Sequence, residues 1–246
     1  AVIPARGGSK RLARKNILEL HGHPMIAYTI MAARDAKKIT DWLVSTEDEE
    51  ILQVAQKYGA QMYFKRPESL ATDEVRNINV VLHALRYMEA ERGHPYDIIV
   101  LLQPTSPIRQ SAHIDEAIDM LWESELPTLA AVKGPYQKRD PILKRIDEDG
   151  CLVSYRDDVK LDPREPFYIY NAALYAVKRN YFVEKRRFTS DRQVPFLMDQ
   201  YHSIDVDELA DLAIANAYFD MLSKSKVKRN WDIEVKSSKP LFRNGV

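Results

Sequence analysis

The strongest constraint on this chain is a rhythm: through its first half, short apolar runs recur, each followed by a stretch with helical periodicity. Ala1 to Ala5 is apolar, and after a loop from Arg6 to Arg14 comes Pro24 where a helix would start, with Ile26, Ile30, Met31 and Ala33 behind it. Trp42 to Ser45 reads as a strand, Glu47 to Tyr58 as a helix stopped by Gly59, and Gln61 to Lys65 as another strand. Thr72 is placed to cap a helix carrying Val75, Ile78, Leu82 and Leu85. Asp97 to Leu102, DIIVLL, lacks polar alternation, as a central strand covered on both faces requires. Ser111 is placed to cap a helix through Trp122, and Leu129 to Val132 is the next strand. Such repetition predicts an α/β fold, a mainly parallel central sheet with helices on both faces. Ligands of such sheets bind beyond the carboxyl ends of the strands, which directs attention to the loops after Ala5 and Leu102.

The rhythm changes after Lys133. Ile142 to Ile146 and Cys151 to Tyr155 flank a polar turn and read as a hairpin, while Asp157 to Pro166 is charged and proline-bearing. Phe167 to Val177 returns to strand character, and Asp207 to Leu222 reads as an amphipathic helix with Leu209, Leu212, Ala213 and Leu222 on or near one face. The expected organisation is one α/β domain over residues 1–222, with 134–168 as a hairpin excursion, and a polar, basic tail over 223–246.

Lysine and arginine number 36, as do aspartate and glutamate, so no global field favours nucleic acid or membrane and any anion site must come from local clustering. Cys151 is the single cysteine, which excludes an intramolecular disulfide framework and a thiolate metal cage. No apolar run approaches the roughly 20 residues of a membrane span, and the basic residues near the N-terminus follow the apolar stretch, unlike a signal peptide. A cytoplasmic protein is expected.

Chemistry concentrates in four places. Arg6, Gly7, Gly8, Ser9, Lys10, Arg11, Arg14, Lys15 and Asn16 follow the first strand. Glycines allow backbone N–H groups to approach an anion, Ser9 adds a hydroxyl, and five cations supply charge, so the loop suits a triphosphate. It matches neither a P-loop nor a dinucleotide fingerprint. Gln103 to Arg109, QPTSPIR, is a turn stiffened by two prolines at the end of the apolar strand, where Gln103, Thr105 and Ser106 present donors and acceptors. Asn171 and Tyr175 are an even number apart and would share one face of a strand. Asp205 and Asp207 alternate with apolar Ile204 and Val206, so an extended segment presents both carboxylates together; this suits Mg²⁺, and Asp207 would also cap the last helix. The histidines show no metal-ligand spacing.

The string IPARGGSKRLARKN resembles the signature loop of CMP-sialic acid synthetases (CMP-N-acylneuraminate cytidylyltransferases) and relatives acting on other nonulosonic acids. The resemblance implies that Arg6, Ser9, Lys10, Lys15 and Asn16 surround CTP. Many members carry Gly-Leu-Pro where this chain has Arg11, Leu12 and Ala13. Arg66-Pro67 with Leu70-Ala71 and Asp73 is similar to the next block, which implies cytosine contacts from Arg66 and from Asn77, where many relatives have serine. LLQPTSPIR is almost the family's own string and implies that Gln103 faces the sugar. YNAALY is similar to NGAIY, with Ala172 for glycine, and implies sugar contacts from Asn171 and Tyr175.

The resemblance further implies a Rossmann-like nucleotide-diphospho-sugar transferase fold, and Mg²⁺ at Asp205 and Asp207. It also implies a homodimer in which the β-rich excursion sends basic residues, with Lys144 and Arg164 as candidates, toward the partner's sugar. The implied reaction joins an acidic nine-carbon sugar to CTP and releases pyrophosphate, with Arg6, Lys15, Asp205 and Asp207 as the catalytic set. Alternatives are a synthetase using an eight-carbon ulosonate such as Kdo, another sugar nucleotidyltransferase, a glycosyltransferase and a non-catalytic nucleotide-sugar-binding module.

Overall fold

The computed structural model describes residues 1–60, 64–136, 144–154 and 167–224. The first apolar run forms β1 (Val2–Pro4); after the basic loop, a short ribbon of β2 (Glu19–Leu20) and β3 (His23–Pro24) leads into α1 (Met25–Asp35). Every residue of α1 from Met25 to Ala33 is buried, so this helix is enclosed rather than amphipathic. Then come β4 (Leu43–Ser45), α2 (Glu49–Lys57), α3 (Asn77–Arg92), β5 (Ile98–Leu102) and α4 (Ser111–Glu123).

Two helix starts differ from the sequence reading. Thr72 does not cap α3: its carbonyl accepts the Val75 N–H in a turn, and the helix begins at Asn77 after Arg76. Gln110 rather than Ser111 caps α4, exchanging bonds with His113. At α3 a helix-like apolar spacing ran past the true start, whereas α4 begins one residue earlier than a cap at Ser111 would place it.

The second half supplies β6 (Thr128–Tyr136), β7 (Lys144–Ile146), β8 (Leu152–Ser154), β9 (Phe167–Lys178), α5 (Arg179–Lys185), β10 (Arg192–Leu197) and α6 (Leu209–Ser223). The sheet runs β4-β1-β5-β9-β6-β10-β8-β7. β1 lies parallel to β4 and β5, and β6 to β10, but β9 runs antiparallel between β5 and β6. The expected mainly parallel sheet is therefore mixed, with its longest strand reversed at the centre. Burial on both faces makes a strand continuously apolar whichever way its neighbours run, so DIIVLL carried no information on direction.

The predicted hairpin is present as β7 and β8, and it extends the sheet: β8 pairs with β10 and β7 with β9. Strands β9, β6, β10, β8 and β7 thus form a closed ring of pairings around Ala130, Val132 and Leu152, with Tyr168, Tyr170 and Tyr175 packed against them. Asp157 to Pro166, most of Gln61 to Lys65 and the tail from residue 225 lie outside the described residues.

Helices cover both faces. α1, α4 and α6 pack one apolar layer, and α3 with α5 the other. The inner stripe of α6 differs from expectation: Ala215 and Phe219, four apart, are buried, while Leu209 and Ala213 face out. Leu209 is the first helical residue, and Leu212 and Leu222 pack only partly against the core. No described helix is long and apolar enough to cross a membrane.

Candidate active site

At the carboxyl ends of β1 and β5 a cleft of about 580 Å³ opens. Arg6, Ser9, Lys10, Lys15, Asn16, Arg66 and Asn77, the residues expected to meet a nucleotide, all line it, together with Gln103 and Asp207. The loop after β1 owes its path to two side chains. Asn16, buried, donates from Nδ2 to the Arg6 carbonyl at 2.9 Å, closing the loop's two ends. Gly7 lies so close to Asp48 that a Cβ would sit 2.3 Å from its Oδ2, so any other residue there requires Asp48 to move.

The loop's cations are held by carboxylates on the cleft wall. Asp73 accepts from Arg6 at 2.6 Å and Lys10 at 2.5 Å; the Lys10 hydrogen bond, then that of Arg6, keeps its carboxyl below the usual range. Arg11 and Lys15 both reach Asp207, at 2.9 and 2.7 Å. Entering phosphates would compete with these pairs for the same cations. Arg14 points elsewhere: at φ 54 it pairs with Asp48 and Glu50 at the start of α2 and does not line the cleft.

Glu47 is the loop residue that sequence reasoning missed. Its Oε1 accepts the Gly7 N–H at 2.7 Å, and its Oε2 accepts from Arg66 at 2.8 and 3.0 Å. Arg66 is thus a buried cleft residue with a counter-ion, brought there because its N–H donates to the Thr46 carbonyl just beyond β4. The Gly7 N–H, read from the sequence as open to an anion, is already engaged. The available signal was position: Glu47 follows a strand's carboxyl end.

Of the two carboxylates only Asp207 lines the cleft, while Asp205 is partly buried behind it. Val206 between them is buried and donates its N–H to the Thr105 carbonyl at 2.8 Å. The Lys15 hydrogen bond holds the Asp207 carboxyl below the usual range, with burial opposing. Burial pushes Asp205 the other way, aided by repulsion from Asp207 and opposed by a hydrogen bond from Thr105. Asp205 Oδ1 is buried with no hydrogen-bond partner among the described residues. Asp207 does not cap α6; Glu208 does, and Asp211 Oδ2 accepts the N–H groups of both Asp207 and Glu208. Among the described residues no group of three or more His, Cys, Asp or Glu converges. A buried, unpartnered carboxylate oxygen beside a second carboxylate nevertheless fits a hard ion that completes its shell with ligand oxygens.

A second cavity of about 370 Å³ shares Arg76, Asn77 and Gln103 with the cleft. Tyr170, Tyr175 and Phe188 form its aromatic wall, and Arg186 and Arg187 its outer, basic side. Tyr175 lines this cavity, its hydroxyl pKa raised by burial. Asn171 does not line it. It is buried, donating to Ser203 Oγ at 2.9 Å and accepting the Ala173 N–H at 3.0 Å. The shared-face argument fails because Val132 opposes Tyr170 while Ala130 opposes Tyr175, leaving a bulge in β9 at Ala172, φ 61. The bulge sets Tyr170 beside Tyr175, ring centres 5.8 Å apart. Lys144 Nζ lies 5.0 Å from the centre of the Tyr170 ring and donates to Ser154, so it stands by its own chain's aromatic wall; burial lowers its pKa. Arg164 lies outside the described residues.

The sequence pattern of the family described as Cytidylyltransferase matches residues 1–227. The chain belongs to the cytidylyltransferase family. Among its relatives, the CMP-N,N'-diacetyllegionaminic acid synthase of Legionella pneumophila is 32% identical over 231 residues, 92% of this chain and 98% of that protein. The N-acylneuraminate cytidylyltransferase of Escherichia coli is 31% identical over 229 residues, again 92% of this chain but 53% of the relative, so the chain spans about half that protein's length. The solved structure of CMP:2-keto-3-deoxy-manno-octonic acid synthetase complexed with CTP superposes with a TM-score of 0.73 at 18% identity, covering 90% of this chain and 98% of that one. A 4-diphosphocytidyl-2C-methyl-D-erythritol synthase from Anaerococcus prevotii gives 0.61 at 14%, covering 89% and 96%. At such identity the two structures speak for the fold of this family member, and the sequence relatives for its membership.

Proposed function

We propose that this cytidylyltransferase joins the C2 hydroxyl of an acidic nine-carbon sugar, a sialic or related nonulosonic acid, to the α-phosphorus of CTP and releases pyrophosphate. The observation that carries the reading is the junction at Arg76, Asn77 and Gln103, where a cleft walled by the basic loop and Asp207 meets a second, aromatic cavity. A donor triphosphate and an acceptor hydroxyl need two such adjoining sites.

In this reading Arg6, Lys10 and Lys15 hold the phosphates and stabilise charge on the departing pyrophosphate, while Ser9 donates a hydroxyl. Asn16 keeps the loop closed. Arg66, fixed by Glu47, and Asn77 face the base. Gln103 and Tyr175 orient the sugar, and Asn171 supports the bulge behind them. Asp205 and Asp207 would hold Mg²⁺, which when bound supplies positive charge at phosphate oxygens and lowers the pKa of a nearby hydroxyl. The proposal includes a homodimer in which the 134–168 region, with Lys144 and Arg164, borders the sugar site of a second copy; sedimentation velocity finding a fully active monomer would remove that part.

The test is a pyrophosphate-release assay crossing four nucleoside triphosphates with several nonulosonic acids and an eight-carbon ulosonate, with and without Mg²⁺. The expected result is acceptor-dependent pyrophosphate with CTP, matched by an equal amount of CMP-sugar. Release of a nucleoside diphosphate, or no dependence on the acceptor, would overturn it. Full Mg²⁺-dependent turnover by Asp207→Ala would remove the metal assignment alone.

A further inference from the structure

Arg109 ends the QPTSPIR turn and is completely buried. Its Nη1 donates to the carbonyls of Gln103 at 3.2 Å and Ala173 at 2.5 Å, and its Nη2 to Thr29 Oγ1 at 2.8 Å. Among the described residues Nε has no hydrogen-bond partner and no carboxylate pairs with the guanidinium. Removing a charge from water is costly, and neutral dipoles return less than a counter-ion would. Burial accordingly lowers the pKa of Arg109 to about 9. A well-packed apolar residue would serve stability better at such a place, so the reason for an arginine lies in what its rigid fork joins.

It joins the two sides of the second cavity. The Gln103 carbonyl belongs to the turn whose side chain lines both the cleft and the cavity. The Ala173 carbonyl belongs to the β9 bulge, two residues before Tyr175, and follows the left-handed Ala172. The same bulge is held from behind by Asn171 on Ser203, and the same turn by Thr105 on Val206 and Asp205. One guanidinium therefore sits where the acceptor-side residues and the carboxylate-bearing segment are tied together.

We propose that Arg109 is a positioning residue: without touching substrate, its fork sets the spacing between Gln103 and Tyr175 across the acceptor cavity. This rests on the transferase reading above. Arg109→Lys and Arg109→Gln are compared with Leu121→Ala, a core change elsewhere that lowers stability without altering the fork. All are assayed for pyrophosphate release at a temperature where circular dichroism shows them folded. Both Arg109 variants should raise the acceptor KM about tenfold or more while the CTP KM stays within about threefold, with lysine retaining more function than glutamine. Leu121→Ala should melt earlier with ordinary KM values.

Unchanged acceptor kinetics in folded Arg109 variants would overturn the proposal, as would equal rises in both KM values. Should neither variant fold, Thr29→Val removes the Nη2 acceptor together with a weak 3.5 Å donation to the Gln103 carbonyl. It is read the same way, with an acceptor KM raised about fivefold or more expected and a rise within about threefold overturning the idea. A wild-type protein that releases no pyrophosphate refutes the transferase reading itself, and this proposal with it; an active wild type with normal variants refutes only Arg109.

Discussion

Ala172 holds φ 61 at the centre of the β9 bulge, a conformation that costs an L-residue with a Cβ about 1–2 kcal/mol. Ala172→Gly removes that strain. Glycine in turn loses more freedom on folding, about 0.5–1 kcal/mol relative to alanine. The difference leaves a net stabilisation of roughly 0–1.5 kcal/mol, with little packing lost because the methyl group is only half-buried. The bulge itself should persist, since the Asn171 side chain and Arg109 hold the flanking backbone at Ala173 whatever stands at 172. For a chain of this size the gain corresponds to at most about 6 °C in Tm, read by thermal melting and by the urea midpoint at constant slope. Ala172→Val should move the other way, because a β-branched side chain tolerates the left-handed region worst. A glycine variant with a lower urea midpoint, or a valine variant as stable as the parent, would refute the strain argument.

Glu47→Ala leaves the buried Arg66 without a counter-charge and the Gly7 N–H without its acceptor, and should cost about 3 kcal/mol or more in urea unfolding. A loss under about 1 kcal/mol would mean Arg66 has other support. Arg11→Ala should change the CTP KM several-fold in the pyrophosphate assay, since Arg11 reaches Asp207 in the cleft, whereas Arg14→Ala should leave it unchanged. His113 is held neutral, its pKa lowered to about 4 from 6.5 chiefly by burial and then by His202, against an opposing pull from Asp199. The unfolded chain binds that proton more readily, so stability is full above about pH 6.5 and falls as pH drops toward about 4. His113→Asn, which keeps an acceptor for the Gln110 N–H, should flatten Tm against pH across that window; an unaltered slope would assign it to other groups.

Features that depend on a few neighbouring residues are legible in the chain's local pattern. Apolar runs mark β1 and β5, the Glu47 to Tyr58 stretch marks α2, and alternation around Val206 puts that residue inside. The order of residues in the loop from Arg6 to Asn16 marks the wall of the cleft, and family membership follows from the same blocks. Each local rule fails where it meets a non-local event. Asn171 and Tyr175 lose their shared face to a bulge, and DIIVLL conceals an antiparallel neighbour. The helix α3 begins five residues beyond Thr72.

By itself, then, the sequence determined which apolar runs would form the inner strands, which loop would carry cations, and which residue between Asp205 and Asp207 would be buried. These follow from periodicity and composition over a handful of positions. Only the tertiary structure decided the partners: Asp207 for Lys15 across 192 residues, Asp73 for Arg6 across 67, Glu47 for Arg66. It also put the uncompensated guanidinium of Arg109 between Gln103 and Ala173. Hydrophobic patterning reports that a group leaves water, but the partner that compensates it is chosen by how distant strands and loops meet.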